Sequence, residues 1–238
     1  MGNIIIIIKK IFNSFLTPRY YKIYLKINKK IKNKNIFFNI FSKLWFLPSV
    51  QNLQYWQNVK NIDDRHGIKH YSRFTGGSKE LIFEIKKYCR NNYKILDIGC
   101  NVGRYLNYLS DLGYNNLYGV DINREAISYA KKNKNLSLKC SSIENYLLQK
   151  KNNYFDVTYT HGATIELIKP TFNIISEISR VTKLYTIVLI SENGHAYPRF
   201  WRYEFTKHNY NIVSVERIIK KKTDYGSLIV LKKNTTYI

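Results

Sequence analysis

The strongest constraint on the fold is a regular alternation of apolar runs and amphipathic stretches from about residue 78 to the end. The run "KILDIG" precedes "GRYLNYLSDLG", and then come "LYGVDI", "REAISYAKKN", "LSLKCSS", "IENYLLQKK", "FDVTYT", "TFNIISEISRVT" behind Pro170, and "YTIVLISE". Short strands separated by helices of this length run parallel, each crossing over through its helix. Ser78 reads as an N-cap, with Leu81, Ile82, Ile85 and Tyr88 at helical spacing behind it. Two final runs, "NIVSVERIIKK" and "GSLIVLKK", predict an antiparallel hairpin turning over Asp224 to Gly226. The pattern therefore predicts an α/β domain over residues 78–238, with a mostly parallel seven-stranded sheet and an antiparallel C-terminal hairpin.

In such a sheet a ligand lies beyond the carboxyl ends of the strands, beside the first strand-to-helix turn. Gly99 and Gly103 suit that turn, Gly99 by taking positive φ and Gly103 by letting the helix start under a bound group. A dinucleotide site needs G-x-G-x-x-G, and here Gly99, Asn101 and Gly103 are followed by Arg104, Tyr105 and Leu106, without the third glycine. Asp97 stands just before the turn, where a carboxylate repels pyrophosphate and suits a cationic ligand.

"ILDIGCNVGRYL" resembles the first motif of class I S-adenosylmethionine-dependent methyltransferases, hydrophobic-Asp-x-Gly-x-Gly-x-Gly. The departure is Asn101 in place of the middle glycine, a residue that tolerates left-handed backbone. The resemblance implies a Rossmann-like methyltransferase fold with S-adenosyl-L-methionine as cofactor. It places Asp97, Gly99, Asn101 and Gly103 at the methionine end, and Asp121, followed by Ile122, at the ribose hydroxyls. Ser141, Ser142 and Ile143 fall where the family contacts adenine, although the family often has an acid at one of the two serines. "YFDVTYTHGATIELI" matches the fourth motif, with Thr160, His161 and Gly162 facing the methionine moiety.

Methyl transfer from a sulfonium is an in-line displacement with a neutral leaving group, so alignment and exclusion of water dominate. A hydroxyl acceptor also needs a base, for which His161 and His195 are candidates, with Glu166 and Glu192 behind them. The segment "SENGHAYPRFWRYEF" follows the fifth strand and should overhang the pocket. Tyr197, Arg199, Trp201 and Arg202 in it suit a sugar ring or an anionic group. The Asp/Asn/Ser-Pro-Pro-aromatic and Pro-Cys signatures of DNA methyltransferases are absent, since the chain reads "THGA" there.

The loop "FDVTYTHGATIELI" resembles small-molecule and sugar methyltransferases of bacterial surface-glycan clusters, which implies O-methylation of a sugar, nucleotide sugar or lipid-linked glycan. Two alternatives stand beside it: an RNA methyltransferase gripping phosphates through basic residues, and a non-catalytic binding subunit of the same fold. Intact Asp97, Gly99, Gly103 and Asp121 argue against the last.

The formal charge of +23 invites phosphate or an anionic membrane as partner, and a lysine-, asparagine- and isoleucine-rich composition is its competing source. Residues 1–62 contain no Asp or Glu, while Lys9, Lys10, Lys22, Lys26, Lys29, Lys30, Lys32, Lys34 and Lys43 accumulate. Residues 1–50 thus read as a basic amphipathic helical extension, able to lie on an anionic membrane through residues 1–48 or to cap the domain. Residues 51–77 form a polar, aromatic connector and cofactor lid. "NIIIII" is too short to span a bilayer. Cys89, Cys100 and Cys140 follow no metal or disulfide pattern, which predicts a cytoplasmic protein without a metal, at most peripheral on the membrane's inner face.

Overall fold

The computed structural model describes residues 56–57, 68–74, 76–132, 135–162, 164–168, 171–190, 201–221 and 224–234. The basic extension, most of the connector, and Glu192, His195, Tyr197 and Arg199 lie outside the described residues.

Seven strands form one sheet: β1 (Lys94–Ile98), β2 (Asn116–Asp121), β3 (Leu136–Cys140), β4 (Phe155–His161), β5 (Thr182–Ile190), β6 (Tyr210–Lys221) and β7 (Asp224–Lys233). Their order is β3-β2-β1-β4-β5-β7-β6. The pairs among β1 to β5 are parallel, and β7 runs antiparallel to both β5 and β6. The expected mixed sheet is present, and its order reverses between β1 and β4. That switch point opens a crevice at the carboxyl ends of the strands.

Among the described residues the six longer helices are α1 (Ser78–Tyr88), α2 (Arg104–Asp111), α3 (Arg124–Ala130), α4 (Ile143–Leu148), α5 (Ile174–Val181) and α6 (Trp201–Lys207). Side-chain alternation along the strands divides the core between the two faces. Ile95, Val157, Tyr159, Ile187 and Leu189 pack with Leu81 and Ile85 of α1 and Leu106 and Leu109 of α2. Leu96, Ile98, Val188 and Ile190 pack on the other face with Tyr146 of α4, Ile175 and Ile178 of α5, and Trp201 and Phe205 of α6.

Local chemistry sets the helix ends. Asn123 accepts from Ala126 N at 3.0 Å and Asn173 from Ser176 N at 3.1 Å, each capping its helix. Lys233 Nζ donates to Ser179 O at 2.6 Å, Thr182 O at 2.7 Å and Asn153 Oδ1 at 2.8 Å, which ties the end of β7 to the carboxyl end of α5. Arg180 does the same for α4, donating to Leu147 O at 2.7 Å and Lys150 O at 2.6 Å.

Two local expectations are corrected. Ser78 is the first helical residue of α1 and the cap is Gly77, at φ 82°; the Ser78 hydroxyl is buried against Tyr105 Oη at 2.7 Å. Gly226 lies inside β7, opposite Ile218, and the hairpin turns between Lys221 and Asp224. β7 pairs with β5 on one side and β6 on the other, so Gly226 is held inside a ladder. Among the described residues no helix is long and apolar enough to cross a membrane.

Candidate functional site

The turn from β1 into α2 is built by backbone. Gly99 N and Cys100 N donate to Val120 O at 2.8 and 3.0 Å, and Gly103 N closes onto Cys100 O at 2.8 Å. Gly99 (φ 80°), Asn101 (φ 47°) and Gly103 (φ 71°) all take the left-handed region. Asn101 therefore reproduces the conformation of the glycine it replaces, as its short polar side chain permits.

The two outer glycines answer to packing as well as conformation. A Cβ on Gly99 would stand 2.2 Å from Thr164 Cγ2, because the loop after β4 crosses the turn there. A Cβ on Gly103 would meet Ala130 of α3 at 3.2 Å, so close helix packing, rather than room for a bound group, fills that direction. Gly119, which the sequence reading passed over, lies under the turn. A Cβ there would stand 2.7 Å from Cys100, Leu106 and Leu138, so its absence lets α2 settle onto β2.

Two carboxylates end neighbouring strands and differ in character. Asp121 is half-buried at the end of β2; Oδ2 accepts from Asn101 N at 2.9 Å and Oδ1 from Asn123 N at 2.8 Å. Burial raises its pKa, while the amides of Asn123, Asn101 and Ile122 pull it back. Each oxygen keeps a further lone pair, so the group can accept two hydroxyls side by side. Ile122, half-buried, follows as an apolar surface.

Asp97 is 2% exposed and accepts from Tyr159 Oη at 3.0 Å, across the β1–β4 register that pairs them. Burial pushes its pKa up to about 7, with the Tyr159 hydrogen bond and the Arg104 charge opposing and Asp121 adding to the rise. A carboxylate so placed lacks a full counter-charge, and a bound cation would restore its ionised form.

The remaining predicted residues are distributed as follows. Thr160 is buried and its hydroxyl donates to Ile98 O at 2.9 Å, within the sheet. Ser142 caps α4 by accepting from Asn145 N at 3.3 Å, with Ile143 buried behind it, and Ser141 N donates to Asp121 O at 3.0 Å. Ser141 and Ser142 thus follow the strand end beside Asp121. His161 ends β4 with Nδ1 facing both Arg104 Nη2, at 3.2 Å, and the Tyr105 hydroxyl. Trp201 is 2% exposed in the core and cannot stack on a ligand; Arg202 beside it on α6 is half-buried. In a stretch that mixes aromatic and charged side chains, Trp201 read as a stacking surface for a ligand, but α6 turns it inward beside Phe205. Arg104, Tyr105 and Tyr159 were missed as site residues because only the fold brings them to Asp97 and His161.

Among the described residues no cluster of three or more His, Cys, Asp or Glu could hold a metal. The side chains that could hold a ligand here are two carboxylates at neighbouring strand ends, Asp97 and Asp121, with the apolar Ile122 beside the second.

Residues 96–190 match a family described as a methyltransferase domain. No curated protein matches the sequence significantly. Among solved structures, a protein of Pyrococcus horikoshii superposes with a TM-score of 0.56 at 17% identity, covering 76% of this chain and 99% of that one. A TehB-like S-adenosylmethionine-dependent methyltransferase of Corynebacterium glutamicum gives 0.54 at 16%, covering 65% and 87%. The magnesium protoporphyrin IX methyltransferase of Synechocystis, solved with S-adenosylmethionine bound, gives 0.54 at 14%, covering 78% and 89%. Residues 96–190 thus match a methyltransferase domain, and the sheet order around them is the fold of the methyltransferase structures on which the chain superposes.

Proposed function

We propose that the protein transfers the methyl group of S-adenosylmethionine to an oxygen of a sugar, nucleotide sugar or lipid-linked glycan. The observation that supports the cofactor part is Asp121, whose two oxygens each accept a backbone N–H and keep a further lone pair with which to accept a ribose diol. Asp97 then meets the ammonium end, and the backbone of Gly99, Asn101 and Gly103 lies along the methionine. Ile122, Ser141, Ser142 and Ile143 flank adenine, with the end of β4, the Thr160 backbone and His161, closing the site. When bound, the cofactor supplies an electrophilic methyl on sulfur with a neutral leaving group; the protein's task is to align the acceptor and exclude water.

A hydroxyl acceptor must lose a proton as the bond forms. Candidate bases are His161, His195 and Glu192, and Tyr197, Arg199 and Arg202 are the proposed acceptor contacts. The glycan class rests on the sequence around "THGATIELI" and on the sugar-binding side chains after β5. The basic residues 1–48 are proposed to hold the enzyme at an anionic membrane where a lipid-linked acceptor would lie.

The test is transfer of label from methyl-tritiated S-adenosylmethionine to a panel of nucleotide sugars, lipid-linked glycans and total RNA. Label in a glycan fraction is expected. Label confined to RNA, with binding that falls steeply with salt, would replace the glycan reading by phosphate recognition.

A further inference from the structure

The carboxyl end of β4 carries a side-chain cluster assembled from distant segments. His161 Nδ1 faces Arg104 Nη2 at 3.2 Å and the hydroxyl of Tyr105. The Arg104 guanidinium lies over the Tyr105 ring, 4.6 Å from its centroid, and Nη1 donates to Arg73 O at 2.7 Å. Tyr105 is 4% exposed, and its hydroxyl also meets Ser78 Oγ at 2.7 Å. Both partners of Nδ1 are therefore held from behind.

A guanidinium has only donors and keeps its protons in proteins. The nitrogen it faces must offer a lone pair. Once Nδ1 accepts from the guanidinium it has no proton to give, so the phenol, neutral because burial pushes its pKa up to about 12, donates to it as well, and the Ser78 hydroxyl can donate to the phenol oxygen. With two donors on Nδ1, the single proton of the neutral ring belongs on Nε2. A doubly protonated ring would aim an N–H at the guanidinium and set two like charges 3.2 Å apart.

We infer that Arg104 and Tyr105 hold His161 as a neutral imidazole protonated on Nε2, so that it acts in the proposed methyl transfer as a hydrogen-bond donor and not as the general base. Arg104 and Tyr105 are positioning residues in this scheme. The role in transfer rests on the methyltransferase reading, whereas the tautomer does not.

The experiment is a nitrogen-15 spectrum of the histidine rings in the full-length protein at pH 8, which distinguishes protonated from bare ring nitrogens. The chain has five histidines, so the His161 signals are assigned by their absence from His161→Gln. The expected wild-type result is a protonated Nε2 and a bare Nδ1. In an Arg104→Met/Tyr105→Phe double variant the same ring should become a mixture of tautomers. A wild-type ring protonated on Nδ1 would overturn the inference, as would a double variant whose His161 pattern matches wild type. The wild-type spectrum decides the first point even if the double variant folds poorly. Because the measurement needs no cofactor, its failure leaves cofactor binding untouched, and a failure of cofactor binding leaves the tautomer standing.

Discussion

Replacing Asp97 by Asn should stabilise the protein at alkaline pH while impairing it as a cofactor-binding domain. In the folded state burial holds the Asp97 carboxyl at about 7, against an ordinary value of 3.8. A raised folded pKa means that the native state binds more protons than the unfolded chain between those two values. Stability is then fully present below about pH 4 and falls as pH rises to about 7. At roughly 1.36 kcal/mol per pKa unit, ionising Asp97 in place costs about 4 kcal/mol above that window. Asn is neutral at every pH and can still accept from Tyr159, but its amide adds a buried donor at a cost of about 1–3 kcal/mol. The net expectation is a gain of about 2 kcal/mol at pH 8.5, or roughly 4–8 °C in melting temperature for a chain of this size, and no gain at pH 4. Thermal or urea denaturation of both proteins at the two pH values measures this, with S-adenosylmethionine titrated into each at pH 8.5. Equal pH slopes for wild type and variant would refute the claim that Asp97 is a strained, cation-seeking carboxylate. So would tighter cofactor binding in the variant.

Other outcomes follow from the geometry. Gly99→Ala puts a Cβ 2.2 Å from Thr164 Cγ2 at a φ of 80°, so a loss of about 2–3 kcal/mol is expected in urea denaturation. Adding Thr164→Gly should recover the clash and leave the backbone strain; a Gly99→Ala protein as stable as wild type would contradict the turn geometry. Lys233→Met removes three hydrogen bonds at the end of α5 and should cost about 2 kcal/mol, with an unchanged urea midpoint as the contrary result. Removal of residues 1–48 should abolish sedimentation with anionic liposomes and leave cofactor affinity intact, and persistent sedimentation would remove the membrane role from the extension.

The sequence was most legible where the signal is local. A carboxylate ending an apolar strand marked Asp97 and Asp121, and positive-φ residues spaced through a turn marked Gly99, Asn101 and Gly103. Alternating strands and helices gave the sheet its class, although the closing hairpin was displaced because Gly226 resembled a turn residue while β7 needed it in a ladder. Legibility failed where tertiary contact decides the role. Ser78 has the chemistry of a cap, but Gly77 takes the cap and frees Ser78 for Tyr105. Trp201 looked like a ligand platform, yet helix α6 buries it. Arg104 and His161 are separated by 57 residues, and no local pattern could show that a guanidinium would face the imidazole. Gly119 carries no motif of its own, and its need appears only when α2 is laid on β2.

The central claim is that the turn with Asn101 in left-handed conformation, backed by Asp121, is a working cofactor site. Isothermal titration of S-adenosylmethionine into the full-length protein tests it directly. Binding of one cofactor per chain is predicted, weakened at least about 10–100-fold by Asp121→Ala, since hydrogen bonds to a charged acceptor are worth about 1.5–3 kcal/mol each. Absence of binding by the folded wild-type protein, or equal affinity in Asp121→Ala, would contradict the account.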